Sequence, residues 1–104
     1  MTSFDALSTP ALLLDRTVLM ANLSAMRERM AQHGVALRPH LKTAKSARIA
    51  ELAVGQNGGG ITVSTLKEAA YFLDHGFSDI TYAVVMAPNK LDEAAALQAR
   101  GASL

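Results

Sequence analysis

In the run Leu37-Arg38-Pro39-His40-Leu41-Lys42-Thr43-Ala44-Lys45-Ser46, three basic side chains fall at every second residue. In an extended strand, successive side chains point to opposite faces. Val35, Leu37, Pro39 and Leu41 then share one face, and Ala36, Arg38, His40 and Lys42 share the other. An apolar face suits packing against helices. A face carrying Arg, His and Lys in succession needs water or a functional lumen. Lys42 falls at the carboxyl end of the strand, where parallel α/β folds put their sites. Like charges on Arg38, His40 and Lys45, together with desolvation, favour the neutral amine. A neutral lysine attacks carbonyls and forms Schiff bases, and pyridoxal phosphate is the carbonyl cofactor anchored in this way. The same residues also fit a solvated basic strand end, which is common on protein surfaces. The segment alone leaves both readings open.

A strand–helix alternation must position this lysine. After a loose leader over residues 1–8, Thr9-Pro10 opens a short strand, Ala11 to Leu14. Asp15 is placed to cap a helix. That helix has its apolar positions Leu19, Leu23, Met26 and Met30 on one face and Gly34 as its stop. Val35 to Leu41 reads as a strand. A helix from Ser46 to Val54 follows, with Ile49, Leu52 and Ala53 as its buried side and Gly55 at its end. Asn57 to Gly60 is turn material, without the spacing of a phosphate loop. Ile61 to Val63 is a brief strand, and Thr65-Leu66-Lys67-Glu68 fits a capping box. The helix it opens carries Leu66, Ala69, Ala70 and Leu73 and ends at His75-Gly76. Asp79 to Val85 is the next strand, Lys90 to Ala99 the last helix, and Ala102 to Leu104 the start of another strand.

Helix, glycine, strand thus recurs at Gly34, Gly55, Gly76 and Gly101. The helices are unlike one another, so this is a βα rhythm rather than a tandem repeat. Strands alternating with such helices predict an α/β fold with a parallel sheet, either open and doubly wound or closed as a barrel. Eight βα units take about 250 residues. On the barrel reading, this chain is close to the first half of the barrel and is incomplete.

Composition excludes several classes. Half of the 104 residues are hydrophobic and the net charge is +1, which fits a folded unit rather than a disordered tail. It also leaves no basic stripe for nucleic acid or an anionic membrane. With no cysteine there is no disulfide, thiolate metal site or thiol nucleophile. The apolar runs are far below the roughly 18 residues of a membrane span, and no secretory leader is visible. The expected compartment is the cytoplasm. His33 and His75 each precede a glycine at a helix end, where they suit the helix dipole better than a metal.

Arg-Pro-His-Leu-Lys-Thr-Ala-Lys-Ser at 38–46 resembles the Arg-Pro-His-x-Lys-Thr-x-Lys signature of D-serine dehydratase-like and D-threonine aldolase enzymes. These are fold-type III pyridoxal-phosphate enzymes related to the N-terminal domain of alanine racemases. Residues 9–15, 60–69 and 79–88 resemble three further stretches of that family, in order and in register. The likeness is nearest to the branch of D-serine and D-threo-3-hydroxyaspartate dehydratases. Many relatives have His where this chain has Ala44, which bears on the aldolase branch more than on the cofactor.

The resemblance implies the first half of a TIM-type (β/α)8 barrel over residues 16–104. It implies that residues 1–15 form a strand pairing with a β-rich domain beyond this chain. Lys42 would carry pyridoxal phosphate and take the α-proton of a D-3-hydroxy amino acid such as D-serine or D-threo-3-hydroxyaspartate, with His40 and Arg38 as further cofactor contacts. The parent enzyme would be a homodimeric lyase assisted by a divalent metal, zinc or manganese or magnesium, whose ligands lie outside this chain. D-threonine aldolase, a racemase-like enzyme and a non-catalytic pyridoxal-phosphate homeostasis protein are the alternatives. The 104 residues alone are expected to be inactive.

Overall fold

The computed structural model describes residues 3–55 and 58–104; Asn57, in the expected turn before Gly60, lies outside them. Helix α1 spans Arg16–Gln32. Its start is set by Asp15, whose Oδ1 accepts the Val18 backbone N–H at 3.0 Å and so satisfies one of the orphan donors of the first turn. Helices α2 (Ala47–Val54), α3 (Leu66–Asp74) and α4 (Leu91–Ala99) follow. The α3 cap is the expected one: the Glu68 N–H donates to Thr65 Oγ1 at 3.0 Å. Helix α4 begins one residue later than expected because Pro88–Lys90 forms a 3-10 turn ahead of it. Gly34 and Gly76 follow their helices with φ of +62° and +91°, backbone that a side chain resists.

Strands β1 (Ile61–Val63) and β2 (Ile80–Tyr82) pair in parallel, with Ile61 opposite Ile80 and Val63 opposite Tyr82. Two further segments join by single parallel bridges, His40 to Thr62 and Asp79 to Ser103. The sheet order is therefore residue 40, β1, β2, residue 103, which is also the sequence order. The expected strand over Val35–Leu41 is paired only at its end. Thr62 N–H donates to Pro39 O at 2.9 Å and Leu41 N–H to Thr62 O at 3.0 Å, while Pro39 has no N–H to offer. Val35 and Leu37 are exposed rather than packed, so the expected apolar face is realised only at Leu41. The expected strand over 79–85 shortens to β2, flanked by the Asp79 bridge and by Ala83 N–H donating to Val63 O. Residues 11–14 form no strand at all, and Leu12, Leu13 and Leu14 are exposed. A strand needs a neighbour for its backbone groups, and none lies beside them among the described residues.

The core lies on one face of the sheet. Leu41, Ile61, Val63 and Ile80 pack with Ala50 of α2, with Leu66, Ala69 and Phe72 of α3, and with Ala94 and Leu97 of α4 in one buried cluster. The expected inner residues of α2, Ile49, Leu52 and Ala53, are only half-buried; Ala47 and Ala50 are its buried pair. Helix α1 buries no residue, although Leu19, Leu23 and Met30 are half-covered as the periodicity predicts, and Met26 is exposed. The opposite sheet face carries Arg38, His40, Thr62, Asp79 and Thr81, none of them buried. This is the polar face that the alternation of residues 35–42 anticipates.

Gly60 has a packing role on that face. Arg38 Nη2 reaches across β1 to Asp79, 2.8 Å from Oδ1, and Nη1 donates to Thr81 Oγ1 at 3.3 Å. A Cβ on Gly60 would fall on the Arg38 guanidinium and lie 2.9 Å from Asp79 Oδ2. The Gly60→Ala substitution should therefore swing the guanidinium, the free end of a flexible side chain, out of the way and cost no more than the half-exposed pair it breaks, under about 1 kcal/mol. Arg38→Ala alone should cost under about 1 kcal/mol, since the pair is half-exposed. Urea midpoints check this: with the pair lost in both, the double variant should be no less stable than Gly60→Ala alone. Additive losses would show that the guanidinium does not set the cost.

Candidate functional site

The lysine segment sits where the sheet ends. After Leu41 the chain turns through residues 42–44, and Lys45 N–H donates back to Leu41 O at 2.9 Å. Lys45 has a φ of +47°, a left-handed conformation that non-glycine residues seldom adopt. Ser46 then caps α2, its Oγ accepting the Ile49 N–H at 3.5 Å. Lys42 is exposed at the start of this loop, beyond the carboxyl end of its segment. Among the described residues no carboxylate forms an ion pair with it. Its own backbone N–H donates to His40 Nδ1 at 3.3 Å. His40 thus folds over the backbone two residues ahead of it, and an accepting Nδ1 places the ring proton of the neutral imidazole on Nε2.

Arg38 does not join the cationic cluster that the sequence suggested around Lys42. Arg38 points to the amino end of the sheet and is paired with Asp79. Four residues of extended chain span about 13 Å, beyond the roughly 8–10 Å over which exposed charges interact. The Lys45 charge also bears, weakly, on Glu68. Glu68 is buried, with 6% of its surface exposed. It accepts a hydrogen bond from Thr65 Oγ1 at 2.6 Å and another from Ser64 Oγ at 3.1 Å. Burial by itself would raise its pKa. The Thr65 and Ser64 hydroxyls, the Ser64 backbone and the Lys45 charge outweigh that and hold the carboxyl below its usual value of 4.5.

The sequence presented Glu68 only as a capping residue. The signal for more was the Ser64-Thr65 pair before it, which gives one carboxylate two hydroxyl donors. Asp79 and Tyr71 carried no signal. Arg38 and Asp79 are 41 residues apart, and the Ala47 N–H donating to Tyr71 Oη at 3.1 Å joins α2 to α3 through a contact that no local pattern announces.

The direction of the Glu68 shift sets a pH dependence. A carboxyl whose folded pKa is depressed contributes stability that is complete above 4.5 and is lost as pH falls through its lower folded value. Glu68→Gln should therefore lower the urea midpoint at pH 7 and lose less on acidification to pH 3 than the native chain does. Equal acid losses in the two would contradict the assignment.

Fold and site together define a parallel α/β protein with an exposed lysine loop at the carboxyl ends of its strands. No family model matches the chain. Over 98 residues it is 47% identical to the D-threo-3-hydroxyaspartate dehydratase of Delftia sp. strain HT23, covering 94% of this chain and 26% of that enzyme. It is 41% identical over 93 residues to the D-serine dehydratase of Dictyostelium discoideum, covering 85% of this chain and 23% of that protein. A D-threonine aldolase from Arthrobacter sp is 39% identical over 84 residues, covering 80% and 22%.

The solved Delftia dehydratase superposes with a TM-score of 0.88 over 92% of this chain and 25% of its own. An alanine racemase-like protein from Idiomarina loihiensis superposes with a TM-score of 0.87 at 38% identity, over 93% and 26%. A variant of the Delftia enzyme has been solved in a metal-free form. The chain spans about a quarter of the length of the curated relatives it matches.

Proposed function

We propose that this chain supplies the lysine-bearing first part of a (β/α)8 barrel in a pyridoxal-phosphate-dependent lyase, one that removes water and then ammonia from a D-3-hydroxy amino acid. The observation that carries the reading is Lys42, an exposed primary amine at the carboxyl end of a parallel sheet, in a chain 47% identical to a D-threo-3-hydroxyaspartate dehydratase. Sheet order that follows sequence order, and a core on one sheet face, support a barrel over a doubly wound sheet. Residues 16–104 would be barrel, and 1–15 would meet a β-rich domain. The functional protein would be a cytoplasmic homodimer.

The donor set fits the cofactor at one point: Lys42 Nζ offers an amine to an aldehyde, and among the described residues no carboxylate pairs with it. When bound, the cofactor supplies an electron sink. Lys42 Nζ binds it and takes the α-proton of the substrate. His40 orients the Lys42 backbone through Nδ1. Arg38, paired with Asp79, ties three sheet segments together at the other end. A divalent metal does not fit these residues: among the described residues no three His, Asp or Glu side chains gather to hold one.

The reading is tested by replacing the matching quarter of the Delftia dehydratase with residues 1–104 and assaying D-threo-3-hydroxyaspartate, D-serine and D-threonine. Release of ammonia with a 2-oxo acid supports the proposal. Cleavage of D-threonine to glycine and acetaldehyde favours the second reading, to which the 39% identity with a D-threonine aldolase points. A folded graft that takes up pyridoxal phosphate but turns over none of the three would refute the lyase reading.

A further inference from the structure

The backbone alone holds the segment that carries Lys42 only weakly in register. Register is set firmly where one strand face is buried, because a one-residue slip would turn that face to water. Here Val35 and Leu37 are exposed, and Leu41 is the buried hydrophobic of the segment. The ladder to β1 is also short. Thr62 N–H donates to Pro39 O, and Leu41 N–H donates to Thr62 O. Pro39 has no N–H with which to extend it.

Side chains take over where the ladder stops. Thr62 Oγ1 donates to Arg38 O at 3.1 Å, which fastens the segment to β1 on the amino side of Pro39. The Arg38 guanidinium passes the bare Cα of Gly60, the residue before β1, and reaches the strand beyond. There Nη2 lies 2.8 Å from Asp79 Oδ1, and Nη1 donates to Thr81 Oγ1 at 3.3 Å. Asp79 and Thr81 are two residues apart and so share the polar face. A guanidinium presents its donors in a rigid planar fork. It meets both partners at once in one register, and a one-residue slip would carry it to the apolar face.

We propose that Arg38 is a positioning residue for Lys42: its fork on Asp79 and Thr81 locks the register of residues 38–42, so that Lys42 leaves the sheet on the polar face and at one height. The lock stands on these contacts, and its purpose rests on the reading of Lys42 as the cofactor amine. This role differs from the cofactor contact that the family resemblance implies for Arg38. The guanidinium is engaged by Asp79 and Thr81, at the opposite end of the segment from Lys42.

Residue-resolved amide hydrogen exchange on the full-length graft, before cofactor is added, tests the lock. The Leu41 and Thr62 amides report pairing of the lysine segment with β1, and the Ile61 and Ile80 amides report the rest of the sheet. Arg38→Met keeps the aliphatic stem and removes the fork. Asp79→Ala removes the charged partner, and Gly60→Ala displaces the guanidinium without altering either. Each should speed exchange at Leu41 and Thr62, relative to Ile61 and Ile80, by about three- to fivefold, the scale of a half-exposed ion pair. Arg38→Met combined with Asp79→Ala should speed it no more than either alone, since both remove one shared contact. In the cofactor-loaded graft, Arg38→Met should lower kcat by about threefold or more and leave KM for the amino acid within about twofold, as a change remote from the substrate does when it shifts a reacting group.

Unchanged exchange in all three variants overturns the proposal. Equal acceleration of all four amides also overturns it, because that is general loosening. Unchanged exchange with weakened uptake of pyridoxal phosphate by Arg38→Met would make Arg38 a cofactor contact instead. Faster exchange with kcat unchanged would show a lock that does not position Lys42, and that too overturns it. If Arg38→Met does not fold, Gly60→Ala, which adds a single methyl group, decides alone. A folded graft that turns over nothing refutes the lyase reading, while exchange in the same protein still decides the register.

Discussion

Lys42→Ala, made in the grafted dehydratase, should abolish the yellow colour of bound pyridoxal phosphate and lower turnover by at least about 10²–10⁴-fold, the range attributed to one positioned acid–base group. The loss should be larger still if the same amine both anchors the cofactor and moves the α-proton. Of the four lysines in the chain, Lys42, Lys45, Lys67 and Lys90, Lys42 alone starts the loop beyond the sheet's carboxyl end. Lys45 lies three residues further on, where the loop bends back to Leu41 O, Lys67 lies on the exposed side of α3, and Lys90 precedes α4. Lys45→Ala should therefore keep the colour. Borohydride reduction followed by peptide mapping checks the assignment directly. A pyridoxyl group found on Lys45 or Lys67 would show that the wrong amine has been chosen.

Local features of the chain were legible because each depends on residues a few positions apart. Asp15 caps α1, Thr65 with Glu68 starts α3, and Gly34 and Gly76 end their helices, all within one turn of chain. The alternation over residues 35–42 also reported correctly which side chains face the helices at Leu41 and which do not at Arg38 and His40. It failed at Val35 and Leu37 because alternation describes a strand's two faces but not whether either face is covered. The expectation that Arg38 adds its charge to Lys42 failed for a similar reason. Charge counted along the sequence ignores Asp79, 41 residues from Arg38, and Glu68 on another helix. The long-range partners of the polar face are thus the least visible in sequence, since they are set by sheet register and helix packing.

The 104-residue chain on its own should be an oligomer or aggregate, and it should bind pyridoxal phosphate no better than an ordinary exposed lysine does. Its radius of gyration is 15.9 Å, against about 13 Å for a compact domain of 100 residues, and it is flattened to 46 × 40 × 22 Å. Flatness follows from a sheet covered by helices on one face only. Leu12 is 99% exposed and Val85 90%. A groove of about 640 Å³ beside β2 and α4 is lined by Tyr82, Val84, Met86, Leu91 and Leu104 among others. The outer edges at residues 40 and 103 have no strand beside them among the described residues. Unpaired edges next to exposed apolar surface drive association. Light scattering behind size exclusion should give masses well above 11.0 kDa, with a broad thermal transition. Charges placed at Leu12 and Val85, neither of which is in the buried cluster, should shift the population toward monomer without weakening the core. A monodisperse monomer that unfolds sharply and binds the cofactor at micromolar concentration would overturn this. It would mean that the open sheet face and its edges are stable in water, and that the 42–46 loop holds the cofactor with the residues already present.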